Sequence, residues 1–543
     1  MQNEIFNAVQ LNRPNHNVFD LTHDRKLSTQ MGKLTPIFLM ETVPGDKISI
    51  KSNAFVRFAP LVTPVMHQVK VYMHFFFVPN RILWKGWEQF ITGGEDGQQS
   101  PAAPFLRKEL YNIPEGSLED YFGIPVALDA QIDPPISQLN DFSALPFAAY
   151  NLIWNEYYRD QNLQQPIAYE LNDGDNTQNL PTDIKLRAWQ KDYFTSALPF
   201  TQRGAEAMLP LGNQAPIFAY TDQNLPPGGV GQIPVQKWRE QDTGALTTPG
   251  AAQNIQQNQR GGSSYNQTFS NNQWVYVDLE GTHYTDLANA TAASIIDVRR
   301  AFKLQEYLEL SARTGARYTE YLKAYFNVNS SDARLQRPEY MGGFNAPVKI
   351  SEVLQTSQSA FTGTPAPTLQ PATPQGNMAG HGVSVGSGKW LSKYCEEHGL
   401  IIGIMSITPK PAYQQGLHKM WRRFDKFDYF TPQFQHIGEQ PIARKELYVT
   451  SGDEVFGYTP RYSEYKFINS SVHGQFRQSL DKWHLGRKFA SEPALNADFI
   501  QMNPTEVTRI FAVEGQNLDN MWCHVLNEVK ASRPMAYFGN PKF

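Results

Sequence analysis

The stretch Gln68-Val69-Lys70-Val71-Tyr72-Met73-His74-Phe75-Phe76-Phe77-Val78 decides the class of fold. Successive side chains of a strand point to opposite sides, so Val69, Val71, Met73, Phe75 and Phe77 form one apolar face. The other face carries Lys70, Tyr72, His74, Phe76 and Val78 and also turns apolar toward its end. A strand apolar on both faces belongs to a sandwich, or to a sheet covered by inserted chain. Pro60, Pro64 and Pro79 punctuate the neighbouring runs, where prolines stay clear of a central ladder. Upstream, Lys47-Ile48-Ser49-Ile50-Lys51 alternates strictly, and Ala54-Phe55-Val56-Arg57-Phe58 follows after Asn53.

Strands return in the last third. Leu400-Ile401-Ile402-Gly403-Ile404-Met405-Ser406-Ile407 is short, apolar and ended by Pro409, which reads as a fully buried strand. Glu446–Val449, Arg509–Val513 and Cys523–Val529 are further expected strands. The middle changes period. Over residues 142–160, Pro146 sits at a helix N1, and Tyr150, Ile153, Trp154 and Tyr157 recur at helical spacing. A longer helix is expected from Ser294, with Asp297 in its first turn and Gly315 as its stop. Val298, Ala301, Phe302, Gln305, Leu308 and Ala312 would line one face of it. A second helix is expected over Arg317–Phe326. Early strands, a helical and loop-rich middle and late strands imply one sheet system closed by both ends of the chain.

Composition narrows the function. The 543 residues are 18% charged and 13% aromatic, with 37 prolines and 38 glycines. Low charge with many aromatics and turn formers fits β-rich architecture and extensive contact surface. Mean hydropathy is −0.46, and no run approaches the roughly 18 apolar residues of a membrane span. Met1-Gln2-Asn3-Glu4 has no basic region ahead of an apolar run, so no secretory signal is expected. The net charge of −4 excludes bulk wrapping of nucleic acid and leaves local patches or a separate basic partner to neutralise phosphates. Cys395 and Cys523 stand far apart without a CxxC, which excludes a disulfide framework and a structural zinc cluster.

Two segments are almost free of charge. Residues 243–277 hold Arg260 alone, and residues 353–388 hold no Asp, Glu, Lys or Arg. Either segment reads as linker or as a loop ordered by neighbouring subunits. The aromatic island Trp274-Val275-Tyr276-Val277 favours the second reading for the first segment.

Motifs for catalysis fail on context. Gly382-Val383-Ser384-Val385-Gly386 has the nucleophile-elbow spacing, but Gln375–Gly380 does not read as its strand and Gly386-Ser387-Gly388 is a poor helix start. Gly388-Lys389-Trp390 misses the phosphate-loop spacing and its hydroxyl. The histidines lack a metalloprotease pattern, Asp173-Gly174-Asp175 lacks a calcium-hand frame, and Glu396-Glu397 point apart. No catalytic residue and no cofactor is expected, and a metal is left undetermined.

One constellation interleaves cations with aromatics. It is Lys419, Trp421, Arg422 and Arg423 within His418–Phe424, with Lys482, Trp483, Arg487 and Lys488 as a second instance. Such surfaces hold single-stranded nucleic acid by stacking and guanidinium contacts. The competing reading pairs these cations with Asp425, Asp428 and Asp481 at a subunit interface.

Longer blocks carry a resemblance. Leu27-Ser28-Thr29-Gln30-Met31-Gly32-Lys33-Leu34-Thr35-Pro36, Phe55–Met66, Asn151–Asp160 and Asp192–Pro199 are similar to gokushovirus major capsid proteins, those of small single-stranded-DNA phages of the microvirus group. So are Ser331–Tyr340, Pro374–Gly380, Phe456–Tyr462, Trp483–Arg487 and Arg533–Pro541; residues 205–290 and about 357–373 carry no family motif. The resemblance implies a mainly β, eight-stranded viral jelly roll of two four-stranded antiparallel sheets, with long loop and helical insertions in a single domain over 1–543. It implies sixty copies in a T=1 icosahedral shell around circular single-stranded DNA, with no enzymatic activity. Its implied partners are other copies of the chain, a small basic DNA-binding virion protein, the packaged DNA and a host surface receptor, without membrane insertion. The implied location is the virion, assembled in the bacterial host cytoplasm. The unmatched 205–290 segment is the candidate threefold protrusion, with Arg260, Tyr265, Trp274 and Tyr276 as its candidate contact residues. The rival classes are a β-rich polysaccharide-active enzyme, which needs an isolated carboxylate pair in a cleft, and a monomeric cell-binding adhesin.

Overall fold

The computed structural model describes residues 15–98, 100–109, 113–126, 139–205, 207, 217–219, 238–239, 246–247, 283–285, 295–356, 376–513 and 518–538. The chain divides into two units, one of Met1–Arg203 with Glu309–Phe543, the other of Gly204–Leu308. In the second, Ile217–Ala219 pairs with His283–Thr285 and Trp238–Arg239 with Leu246–Thr247, both antiparallel. The candidate residues Arg260, Tyr265, Trp274 and Tyr276 and the Ser294 helix cap lie outside the described residues.

The first unit is a mixed α/β structure built on two antiparallel sheets. The strands of these two sheets are β1 (Asn17–Asp20), β2 (His23–Thr29), β3 (Thr35–Thr42), β4 (Lys47–Phe58), β5 (Val69–Pro79), β6 (Glu339–Pro347), β7 (Lys349–Leu354), β8 (Met378–Ser387), β9 (Leu391–Tyr394), β10 (Gly399–Pro409) and β11 (Met521–Arg533). One sheet has four strands in the order β6-β5-β10-β3. The other has seven, not the expected four. The excess arises because β11 and β4 are long. The short β1 and β2 lie end to end along one edge of β11, and β8 and β9 lie end to end along β4. β7 adds a further row beside β8. As expected, both ends of the chain close one sheet, since β2 and β4 flank the C-terminal β11.

Strand parity then sets the layers. Val69, Val71, Met73, Phe75 and Phe77 of β5 enter a core shared with Ile48, Ile50 and Val56 of β4, Ile401 and Met405 of β10, and Val525 and Val529 of β11. Phe76 and Val78 point the other way, into a second core with Leu400, Ile402 and Ile404. That core is roofed by helix α1 (Leu145–Ile153), which contributes Phe147, Tyr150 and Ile153 and has Pro146 in its first turn. The four-stranded sheet is therefore covered on both faces, which explains its continuous apolar strands. A third cluster joins Tyr193, Phe194, Tyr413, Ile442, Leu447, Phe456 and Phe499.

The helical middle falls where its periodicity places it, with corrections at the margins. Helix α2 spans Ile295–Thr314 and ends at Gly315, whose φ of +96° is one that glycine tolerates. Of its expected inner face, Ala312 is buried but Phe302 is exposed. Helix α3 spans Tyr318–Phe326. Two expected strands are absent. Glu446–Val449 begins in a 3₁₀ turn, Arg444–Glu446, because the Glu446 carboxylate turns back to accept from the Ala443 N–H at 3.2 Å and the Tyr193 hydroxyl at 3.0 Å. Arg509–Val513 overlaps the 3₁₀ segment Pro504–Ile510, started by the Asn503 side chain. Its apolar residues Val507, Ile510 and Phe511 pack into the shared core from one side of that turn.

The half-covered end of β5 holds a pH-sensitive contact. His74 Nδ1 lies 2.8 Å from the Tyr158 hydroxyl, with the ring stacked on Tyr158 and edge-on to Tyr340. Burial, helped by the nearby Arg187 guanidinium, lowers its pKa from 6.5 to about 4. A histidine depressed in the folded state keeps its stabilisation above the unfolded value of 6.5 and loses it as pH falls toward 4. The unfolding midpoint should therefore drop between pH 6.5 and 4, and His74→Gln should flatten that slope; an unaltered slope in the variant would contradict the assignment.

Candidate functional site

The cationic and aromatic run at Lys419 is a surface feature. His418 opens the 3₁₀ turn Lys419–Arg422 by accepting the Met420 N–H at Nδ1, 3.2 Å away. The turn throws Trp421 outward at 65% exposure, and Phe424 beyond it is 91% exposed. Its two arginines turn inward instead. Arg422 Nη2 donates to Asp453 at 2.7 Å, and Arg423 Nη2 donates to Glu464 at 3.2 Å, with its guanidinium 4.1 Å above the Tyr465 ring. The expected acid partners do other work. Asp428 accepts the backbone N–H groups of Phe424 and Asp425 at 3.0 and 2.9 Å and thereby shapes the loop. Lys419 makes no ion pair among the described residues. What faces outward is chiefly Met420, Trp421 and Phe424, while Lys419 is half-buried.

The second instance is split by burial. Lys482 and Lys488 are exposed, the latter 3.4 Å from Asp481. Trp483 is half-buried and anchors the chain through its carbonyl, which accepts the Met66 N–H at 2.7 Å. Arg487 is buried at 3% exposure. Its guanidinium sits 4.3 Å from the Phe499 ring, 4.9 Å from Trp189 and 5.1 Å from Phe489, donates to the Phe499 carbonyl at 2.9 Å and faces Glu506 at 3.6 Å. Burial pushes the Glu506 carboxyl up, against the pull of Arg487. Arg487 is thus a packing element of the subunit interior. The segment leading into the first instance is tied to the second by the Arg487 N–H, which donates to the Ala412 carbonyl, and by the Gln415 side-chain amide, which donates to the Phe489 carbonyl and accepts the Phe489 N–H.

The nucleophile-elbow motif is a strand. Ser384 lies mid-β8 at 2% exposure, donating to the Pro347 carbonyl at 2.9 Å. Its glycines serve packing, since a Cβ on Gly382 would stand 2.8 Å from the Phe58 ring and one on Gly380 2.4 Å from the Thr63 carbonyl oxygen. That part of the uncharged 353–388 stretch is therefore inner sheet, and residues 357–375 lie outside the described residues. Cys395 and Cys523 are unpaired and buried, with thiols pushed up by burial to about 11 and about 12. Among the described residues no group of three His, Cys, Asp or Glu could hold a metal ion, and no helix is long and apolar enough to cross a membrane.

A surface absent from the sequence reading lies on the outer face of the seven-stranded sheet. Cross-strand register sets Trp522 opposite Arg57 and His524 opposite Phe55, with Lys26 beyond His524. Trp522 is 47% and Phe55 43% exposed. These side chains line a shallow depression of about 460 Å³. Asp24 accepts from Lys26 at 2.7 Å and lies 3.0 Å from His524 Nε2, and these bonds, Lys26 first, hold its carboxyl at about 2. Phe55, Arg57 and His524 fall in expected strands, whereas Lys26 and Trp522 do not, and which parity faces out depends on the partner strands.

The described residues thus present two packed sheets whose outer surfaces carry exposed aromatic side chains and many charges paired within the chain. Residues 7–543 match the family model described as Capsid protein (F protein), and the chain belongs to that family of phage capsid proteins. It is 38% identical to the capsid protein VP1 of Bdellovibrio phage phiMH2K, over 96% of this chain and 94% of that one. It is 34% identical to capsid protein VP1 of Chlamydia phage 1 (96% and 95%) and 30% identical to capsid protein VP1 of Spiroplasma virus 4 (96% and 94%). Relationship to viral capsid proteins agrees with a non-enzymatic role.

The arginine pairings predict a split in mutant stability. Arg423→Ala leaves Glu464, buried and otherwise held by Gln440 at 2.6 Å, without its cation and should cost about 3 kcal/mol. Lys419→Ala should change stability by less than about 0.5 kcal/mol. Urea unfolding of the two variants checks this; equal midpoints would refute the inward role of Arg423.

Proposed function

We propose that this chain is the major capsid protein of a gokushovirus-like microvirus, sixty copies of which build a T=1 icosahedral shell around circular single-stranded DNA. The observation that carries the reading is family membership over nearly the whole chain. Strand order supports the finer fold. The rows β2-β11-β4-β8 and β3-β10-β5-β6 follow the interleaved order of an eight-stranded jelly roll, with β1, β7 and β9 as edge additions. Such double-sheet packing suits a wall subunit, since both sheet faces can be covered from outside the core.

Exposure supports assembly. Trp421, Phe424, Ile468 and Phe538 are all more than 60% exposed, and large apolar side chains left this open suit contacts with other chains. Symmetry adds modest contacts into a stable shell. The net charge of −4 leaves most phosphate neutralisation to a small basic virion protein. Residues 205–290, within the separate unit Gly204–Leu308, form the threefold protrusion for host attachment, with Arg260, Tyr265, Trp274 and Tyr276 among its contacts. Trp421, Lys482 and Lys488 are the exposed members of the first candidate set, with Lys419 half-buried beside them, for contact with DNA or a neighbouring subunit. The particle forms in the host cytoplasm and the protein resides in the virion.

Sedimentation and negative-stain imaging of the native protein after nuclease treatment test this. Sixty chains of 61.6 kDa should appear as closed shells with roughly 3.7 MDa of protein and protected single-stranded DNA. A monodisperse monomer from the native source would overturn the reading.

A further inference from the structure

We infer that the outer face of the seven-stranded sheet binds single-stranded nucleic acid, with Trp522 and Phe55 as stacking platforms and Arg57 as a phosphate contact. The inference rests on the proposed function only for naming that strand as packaged DNA.

The register sets out two rows across the sheet. One runs Lys26, His524, Phe55, Val385, and the other Ser28, Trp522, Arg57, Val383, Lys349. Trp522 and Phe55 are diagonal neighbours about 7 Å apart, and each has a basic side chain directly opposite on the partner strand. Every alternate position of these strands is core, Val56, Cys523 and Val525 among them, so the rings stand on a rigid base. Exposed rings on a sheet offer π-faces to unpaired bases, whereas the bases of a duplex are already stacked and paired. The depression between them is bounded by Lys26 and Arg57.

Charge selects the occupant. The out-facing acids are already engaged: Asp24 by Lys26 and His524, Glu528 by Lys51 at 3.2 Å and Asn53 at 2.6 Å, and Asp20 opposite Lys530 in the register. Arg57 and Lys349 have no ion-pair partner among the described residues. A second protein chain laid on this face would have to bring a free acid to Arg57 or bury it unpaired at a cost, while any phosphate of a nucleic-acid backbone would satisfy it. The adjoining cavity of about 770 Å³ is lined by Arg25, Lys26 and Lys33 as well as by Glu115, Asp120 and Asp519, so its charges balance and it adds no attraction for a polyanion. The favourable path therefore leads from Trp522 across Arg57 toward Lys349.

The test is binding of a fluorescein-labelled oligodeoxythymidine to the full chain by anisotropy, in the unsubstituted protein and in Trp522→Ala, Trp522→Phe and Arg57→Gln. Trp522→Ala should weaken binding about tenfold and Trp522→Phe should largely restore it. Arg57→Gln should weaken binding and reduce the slope of log affinity against log salt by about one. In native particles, ultraviolet cross-linking should attach DNA to the tryptic peptides 52–57 and 510–530. Unchanged affinity and salt slope in the variants, or cross-links confined to other peptides, would overturn the inference. Variants that bind normally but no longer form shells would make the face an interface between copies, which also overturns it. The binding measurement needs no shell, so failure of the capsid reading shows separately, as absence of particles from the unsubstituted chain.

Discussion

The structure depends on β5 being buried on both faces at once. Its odd residues fill the core between the two sheets, and Phe76 and Val78 fill the core beneath α1. Its ladder partner β10 is buried along its whole length and splits its side chains between the same two cores. Neither strand can slip by one residue without exchanging two apolar faces. Close packing enforces the same register, since a Cβ on Gly403 would stand 2.6 Å from the Phe75 ring. This pair fixes the four-stranded sheet, and that sheet in turn gives the seven-stranded sheet and the helical layer their footing.

On that rigid base the outer surfaces divide by how their charges are settled. Around Arg422, Arg423 and Arg487 the guanidiniums are turned inward, paired with acids or caged by rings, and the surface left behind is aromatic. Such surface gains from being covered by another chain. On the outer sheet face the acids are already taken and Arg57 remains, which suits an anionic partner. A subunit whose net charge is −4 can thus meet both neighbours and nucleic acid, because the sign that matters is local.

The sequence made the central strands legible because their parity is strict and their flanks carry proline: β4, β5, β10 and β11 fall where alternation or a closed apolar run placed them. The helices α1 to α3 were legible from their period. Glu446–Val449 and Arg509–Val513 misled because short apolar runs fit a 3₁₀ turn packed from one side as well as a strand, and what distinguishes them is the distant Tyr193 hydroxyl on Glu446 and the local Asn503 cap. β8 was hidden by its glycines, which look like linker but answer to the bulk of Phe58. Of the first candidate residues, composition could not separate Arg487 from Lys488, because burial is decided by Trp189 and Phe499 far along the chain. The Trp522–Arg57 face needed the pairing of two strands more than 460 residues apart.

Hydrogen exchange on the full chain, compared between free subunit and particle, tests the account most directly. It predicts that amides of β5 and β10 exchange slowest in both states, and that residues 419–430 exchange fast in the free subunit and become protected on assembly. Fast exchange in β5 or β10 in the free subunit, or equal protection of 419–430 in both states, would contradict a preformed two-core subunit that assembles through its exposed aromatic surface.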